Sequence, residues 1–117
     1  MIIMDNAVKE KSFRFAVRIV KLCKFLQEEK REYIMSKQLL RSGTSIGANT
    51  AESQQAQSRP DFISKLNIAL KEAVETEYWI RLLYETEYLT KEQFTSIIGD
   101  CDELEKLLVS IVKATKE

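Results

Sequence analysis

Between Phe62 and Leu83, small or apolar residues recur at intervals of four and three without a break: Phe62, Leu66, Ala69, Ala73, Thr76, Ile80 and Leu83. A strand cannot use that rhythm, because its side chains alternate with a period of two. On an α-helix the same positions form one narrow seam about six turns long. A seam of that length has to be covered, and a second one follows at Phe94, Ile97, Cys101, Leu104, Leu108 and Ile111. Helix packed on helix is therefore the predicted layer arrangement. Glycine and proline agree, since 117 residues hold only three Gly and one Pro, too few for the turns of an all-β sandwich.

Two further helices precede the seams. The first is expected from about Asp5 to Lys30, with Val8, Phe15, Ile19, Leu22 and Leu26 on one line. Ala16 and Cys23 lie beside that line, and Phe13, Val17 and Val20 widen the apolar arc beyond half the circumference. An ordinary surface helix needs an apolar stripe of only about 100°. Neighbours on two sides, and hence an oligomer, are the implication.

A charged break, Glu28-Glu29-Lys30-Arg31-Glu32, leads to a second helix expected over about 33–57. Its middle, Ser42 to Ala51, is almost entirely small residues, and each interior glycine costs about 1 kcal/mol of helix propensity. Helix is still preferred to a Gly/Ser loop, because Gly43, Gly47 and Ala51 recur every fourth residue and would let another backbone approach closely. Ser58-Arg59-Pro60-Asp61 is a start signal for a third helix to about residue 87, and Thr90 with Gln93 is a capping box for a fourth over about 91–115. The expected fold is all-α: a single domain over 1–117, an antiparallel up-down four-helix bundle that assembles into a homo-oligomeric ring.

Few chemistries survive the composition. The chain has no histidine, which excludes Ser-His-Asp and Cys-His catalysis and the Glu-x-x-His di-metal sites of bundles. Ser110 and Lys113 match Ser-x-x-Lys but lack the companion motifs of acyl-transfer enzymes, and Gly43 to Gly47 lacks the lysine and preceding strand of a phosphate loop. Glu72, Glu75, Glu77, Asp100, Asp102, Glu103 and Glu105 could gather as an acidic patch, but solvated helix faces are the simpler expectation. Cys23 and Cys101 fall on apolar faces and are read as small buried hydrophobes, not reactive thiols. No catalytic residue, metal or cofactor is assigned. The apolar start Met1 to Met4 is too short for a signal peptide and no run suffices for a membrane span, so a cytoplasmic location with reduced thiols is expected.

Charge is more informative in halves than in total. Residues 1–58 hold ten Lys/Arg and six Asp/Glu, a net of +4; residues 59–117 hold eight and twelve, a net of −4, which cancels it. Unlike faces of neighbouring subunits could match in charge, which makes a heterologous contact. Alternatively Lys11, Arg14, Arg18, Lys21 and Lys24 on the first helix form a basic stripe for RNA or single-stranded DNA. Neutralisation by acidic neighbours is preferred over that role. Asn49 and Glu52, just after the small-residue stretch, are assigned to structure or assembly before ligand binding. Tyr78, Trp79, Tyr84 and Tyr88 form an aromatic band, read as core packing with a partner interface as the alternative.

Several strings resemble one bacterial family. Lys11 to Val20, Gln38 to Asn49, Asp61 to Leu66 and Lys71 to Ile80 are similar, in order, to proteins of the 23S rRNA-intervening-sequence family. Arg41, Gly43, Ser45, Gly47, Asn49, Glu52, Glu75, Tyr78 and Trp79 fall in the motif strings; where a common family form continues past the Asn with Ile-Ala-Glu-Gly, this chain has Thr50-Ala51-Glu52-Ser53. The resemblance implies an up-down four-helix bundle in a pentameric ring, with no established biochemical activity. The wide apolar arc of the first helix, the close-packing stripe of the second and the opposite charges of the halves make a non-enzymatic scaffold or interaction protein, its first partner itself, the leading expectation. A more distant resemblance, to the accessory protein of diversity-generating retroelements, would add nucleic acid and a protein partner. That protein is strongly basic, unlike this neutral chain.

Overall fold

The computed structural model describes residues 6–116, and Met1 to Asp5 lie outside them, including the apolar start and the first residue of the expected helix. Four helices follow: α1 (Asn6–Glu28), α2 (Met35–Ser53), α3 (Arg59–Glu85) and α4 (Lys91–Lys116). No strand occurs among the described residues. The molecule measures 46 × 20 × 18 Å, close to the length of its longest helices.

Helix α3 buries Phe62, Leu66, Ala69, Ala73, Thr76, Ile80 and Leu83, the seam anticipated from spacing. Helix α4 buries Ile97, Cys101, Leu104 and Leu108, but its last turn buries Val112 and leaves Ile111 only half-buried. In α1 the buried positions are Val8, Ser12, Phe15, Ile19, Cys23 and Leu26, with Leu22 at the edge. Phe13, Val17 and Val20 are exposed, so one flank of the wide apolar arc has no cover within the chain. Helix α2 buries Ser36, Leu39, Ser42, Gly43, Ile46, Thr50 and Ser53, and the small-residue stretch is helical throughout.

That stretch is small because α1 lies against it. A Cβ on Gly43 would come within 2.8 Å of two side-chain carbons of Ile19, and one on Gly47 within 3.1 Å of the Ser12 carbonyl oxygen. The buried hydroxyls of α2 turn inward to backbone oxygens, as Thr50 does to Ile46 at 2.8 Å, and Ser42 accepts from the Thr76 hydroxyl of α3 at 2.9 Å. Buried side-chain nitrogen and oxygen atoms without a hydrogen-bond partner are absent among the described residues.

The helix ends correct the expected boundaries. Helix α2 was expected from about residue 33 but starts at Met35, because Glu32 turns the chain. Its buried carboxylate accepts from the backbone N–H groups of Ile34, Met35 and Ser36 at 3.1, 3.0 and 2.7 Å, satisfying donors at a helix N-terminus. The same helix stops at Ser53, four residues short of expectation, where Gln54, Gln55 and Ala56 bond three residues back and tighten the turn. Arg31 and Glu87 take positive φ values of 56° and 70°, closing α1 and α3 in the left-handed conformation that glycine usually supplies. Ser58 caps α3 by accepting from Asp61 N–H at 3.2 Å, and Thr90 and Gln93 form the expected reciprocal box at the start of α4.

Candidate functional site

The motif residues of α2 and α3 meet on one outer face. The Arg41 guanidinium pairs with Glu72 at 3.2 Å and with Glu75, and Trp79 donates its indole N–H to the same Glu75 carboxylate at 3.0 Å. These two donors, Trp79 before Arg41, hold Glu75 below the ordinary carboxylate range, and Glu75 in turn raises Arg41. Tyr78 packs edge-on to Trp79, 5.1 Å between ring centres, and remains exposed. The aromatic band therefore divides, with Tyr84 stacked on Phe94 of α4 at 4.2 Å. Ser45 donates to the Arg41 carbonyl at 2.6 Å and Asn49 to the Ser45 carbonyl at 2.9 Å, so both side chains bond within their own helix. Glu52 pairs with Lys65 at 3.2 Å.

The basic residues of α1 do not form a uniform free stripe. Lys11 reaches Glu103 at 2.8 Å, Arg18 reaches Asp100 at 2.5 Å and Ser96, and Arg14 folds back to Glu10. Lys21 and Lys24 are exposed and carry no ion pair among the described residues.

The acidic residues separate into three groups. Glu72 and Glu75 belong to Arg41, and Asp100 and Glu103 to α1. The third group, Glu77, Asp102 and Glu105, places carboxylate oxygens within 4.8 Å of one another beside Cys101. Burial, then a hydrogen bond to Glu77 and the neighbouring charges, pushes Glu105 up to about 7, and in its protonated form it shares that proton with Glu77. Glu77 is lowered by that hydrogen bond and by Arg81, 2.9 Å away. The Arg81 guanidinium already offsets part of the charge a cation would balance.

Neither thiol is poised to react. Cys23, buried and near Glu32, is pushed up to about 12, and Cys101 is raised further by burial and by Glu105. A thiol reacts as its thiolate, which both environments disfavour. Ser110 and Lys113 are exposed along α4, and Gly43 to Gly47 lie inside α2, which rules out a phosphate-binding loop there. Sequence reasoning missed Glu32 as a cap, reading it as one charge in a polar break; its place three residues before α2 was the available signal.

Among the described residues the chain defines an all-α class of four packed helices, with most of its polar motif residues bound to one another. The model for the 23S rRNA-intervening sequence protein family matches residues 4–110, and the chain belongs to that family. It is similar to the crystal structure of a protein with unknown function from the S23 ribosomal protein family of Bacteroides thetaiotaomicron. The identity is 67%, over 92% of this chain and 96% of that one, with a TM-score of 0.91. No curated protein matches the chain. Among the described residues no helix is long and apolar enough to cross a membrane.

Proposed function

We propose that this chain is a non-enzymatic, cytoplasmic scaffold or interaction protein that works as a homo-oligomer, a pentameric ring by the family resemblance. The observation that carries this is the uncovered flank of α1, where Phe13 is 69% exposed beside exposed Val17 and Val20. A contiguous exposed apolar strip along one helix marks a surface that meets another protein. An up-down antiparallel bundle is supported by pairs whose numbers run in opposite directions. They are Ser12–Gly47 and Ile19–Gly43, Arg41–Glu75 and Glu52–Lys65, and Lys11–Glu103 and Arg18–Asp100. Light scattering on a size-exclusion column tests the oligomer; a monomer of 13.6 kDa at micromolar concentration refutes it.

Nucleic-acid binding is the second proposal, favoured by the unpaired, exposed Lys21 and Lys24 and the outward Arg14. With Lys11 and Arg18 held by α4, each subunit offers few cations, and phosphate binding would need several subunits together. A gel shift at low salt that weakens steeply as salt is added supports it; no shift at low salt removes it.

A further inference from the structure

We propose that copies of this chain join head to tail, with the outer face of α1 in one copy packed along the outer face of α3 in the next. This deepens the homo-oligomer proposal and rests on it.

Two stripes carry the inference. On α1, the solvent face bears Glu10, Phe13, Val17, Val20 and Lys24, at intervals of three, four, three and four. On α3 it bears Lys71, Val74, Tyr78, Arg81 and Glu85, at the same intervals. All ten positions are exposed in the described structure. Each stripe has apolar surface in its middle and opposite charges at its ends, and the order of the charges is reversed between them. Acidic Glu10 stands where basic Lys71 does, and basic Lys24 where acidic Glu85 does. Lys24 and Glu85 have no ion pair among the described residues, so a cross-copy pair would break nothing within the chain. Arg81, opposite Val20, keeps its guanidinium on Glu77 and offers its aliphatic stem.

The fold also sets the two stripes at similar heights. Ile19 lies against Gly43, and the neighbouring Ser42 bonds Thr76, so residues 19 and 76 share a level near mid-bundle. Both α1 and α3 run the same way, because α2 reverses the chain once between them. Matching levels directly differs from matching the stripes by a few residues, on the order of 5 Å, which Lys and Glu side chains span. The two faces differ, so the contact is heterologous, the kind that closes into a ring when the rotation allows. The half-chain charges point the same way, with the +4 half meeting the −4 half of the neighbour.

Charge reversal with rescue tests the pairing. Oligomer mass is measured for the wild type, Lys24→Glu, Glu85→Lys and the double variant, each checked for helical content by circular dichroism. Expected is assembly about tenfold weaker in each single variant and restored in the double, since opposite charges would then face each other again across the contact with their signs exchanged. Unchanged assembly in the single variants, or a double variant no better than they are, overturns the pairing. A monomeric wild type overturns the oligomer itself, so the two failures are distinct.

Discussion

Replacing each glycine by alanine should give opposite signs at Gly43 and Gly99, and the difference follows from space. Gly99 is exposed on α4, with nothing within 4 Å of the position a Cβ would take. Alanine there gains helix propensity and should stabilise the protein by about 1 kcal/mol. At Gly43 the same gain is opposed, because the methyl would lie 2.8 Å from both γ carbons of fully buried Ile19, against about 3.5–4.0 Å for a normal contact. Overpacking of this kind costs about 1–3 kcal/mol. The net effect is a loss of about 1 kcal/mol, and the two variants should differ by about 2 kcal/mol. Denaturant unfolding followed by circular dichroism at fixed protein concentration measures this, the concentration being held because assembly shifts stability. Ile19→Val keeps both offending carbons and should not rescue Gly43→Ala. Ile19→Ala removes them, so the double variant should be less destabilised than the sum of the two. A Gly43→Ala protein as stable as Gly99→Ala, or strict additivity with Ile19→Ala, would refute the close-approach argument.

Three further outcomes are expected. Glu105 has its pKa raised from about 4.5 to about 7, so the folded state holds an extra proton between those values and stability falls as pH rises through that window. A shift of that size is worth about 3 kcal/mol for an isolated group, reduced to about 1 here by solvent access; Glu105→Gln should flatten the profile of unfolding free energy over the window, and an unchanged slope counts against the shared proton. Glu87→Gly, at φ 70°, should stabilise by about 1 kcal/mol in denaturant unfolding because glycine accepts that conformation without strain, whereas a loss would show that the Glu87 side chain matters. Cys23 and Cys101 should resist a thiol reagent in the native state at neutral pH and react only on unfolding, and rapid native labelling of either would contradict their burial.

What the sequence made legible was whatever repeats along one helix. The α3 seam is the plainest case, because Phe62 to Leu83 bury at the positions that spacing selects. The close approach at Gly43 and Gly47 was also legible, since small residues at fourth positions have few other uses in a helix. Helix ends were less so, because Arg31 and Glu87 close α1 and α3 without the glycine that would announce them. Polar side-chain pairings across helices were not legible. Nothing in the spacing says that Trp79 and Arg41 share Glu75, or that Arg18 reaches Asp100, since those depend on how the helices rotate when they pack. The family motif picked out Arg41, Glu75 and Trp79 as a set, but only the fold gives them a common carboxylate.

Helices α1 and α4 make the sparsest of the helix–helix contacts, and exposed ion pairs from Lys11 and Arg18 span that edge. The bundle therefore resembles a sheet of paper rolled into a tube, with glue along three creases and a row of magnets along the free edge. Such an edge opens first when the molecule breathes, and salt screens the attraction that shuts it. Whatever displaces those magnets, whether a neighbouring copy or a polyanion, would loosen the tube where they sit without breaking any hairpin.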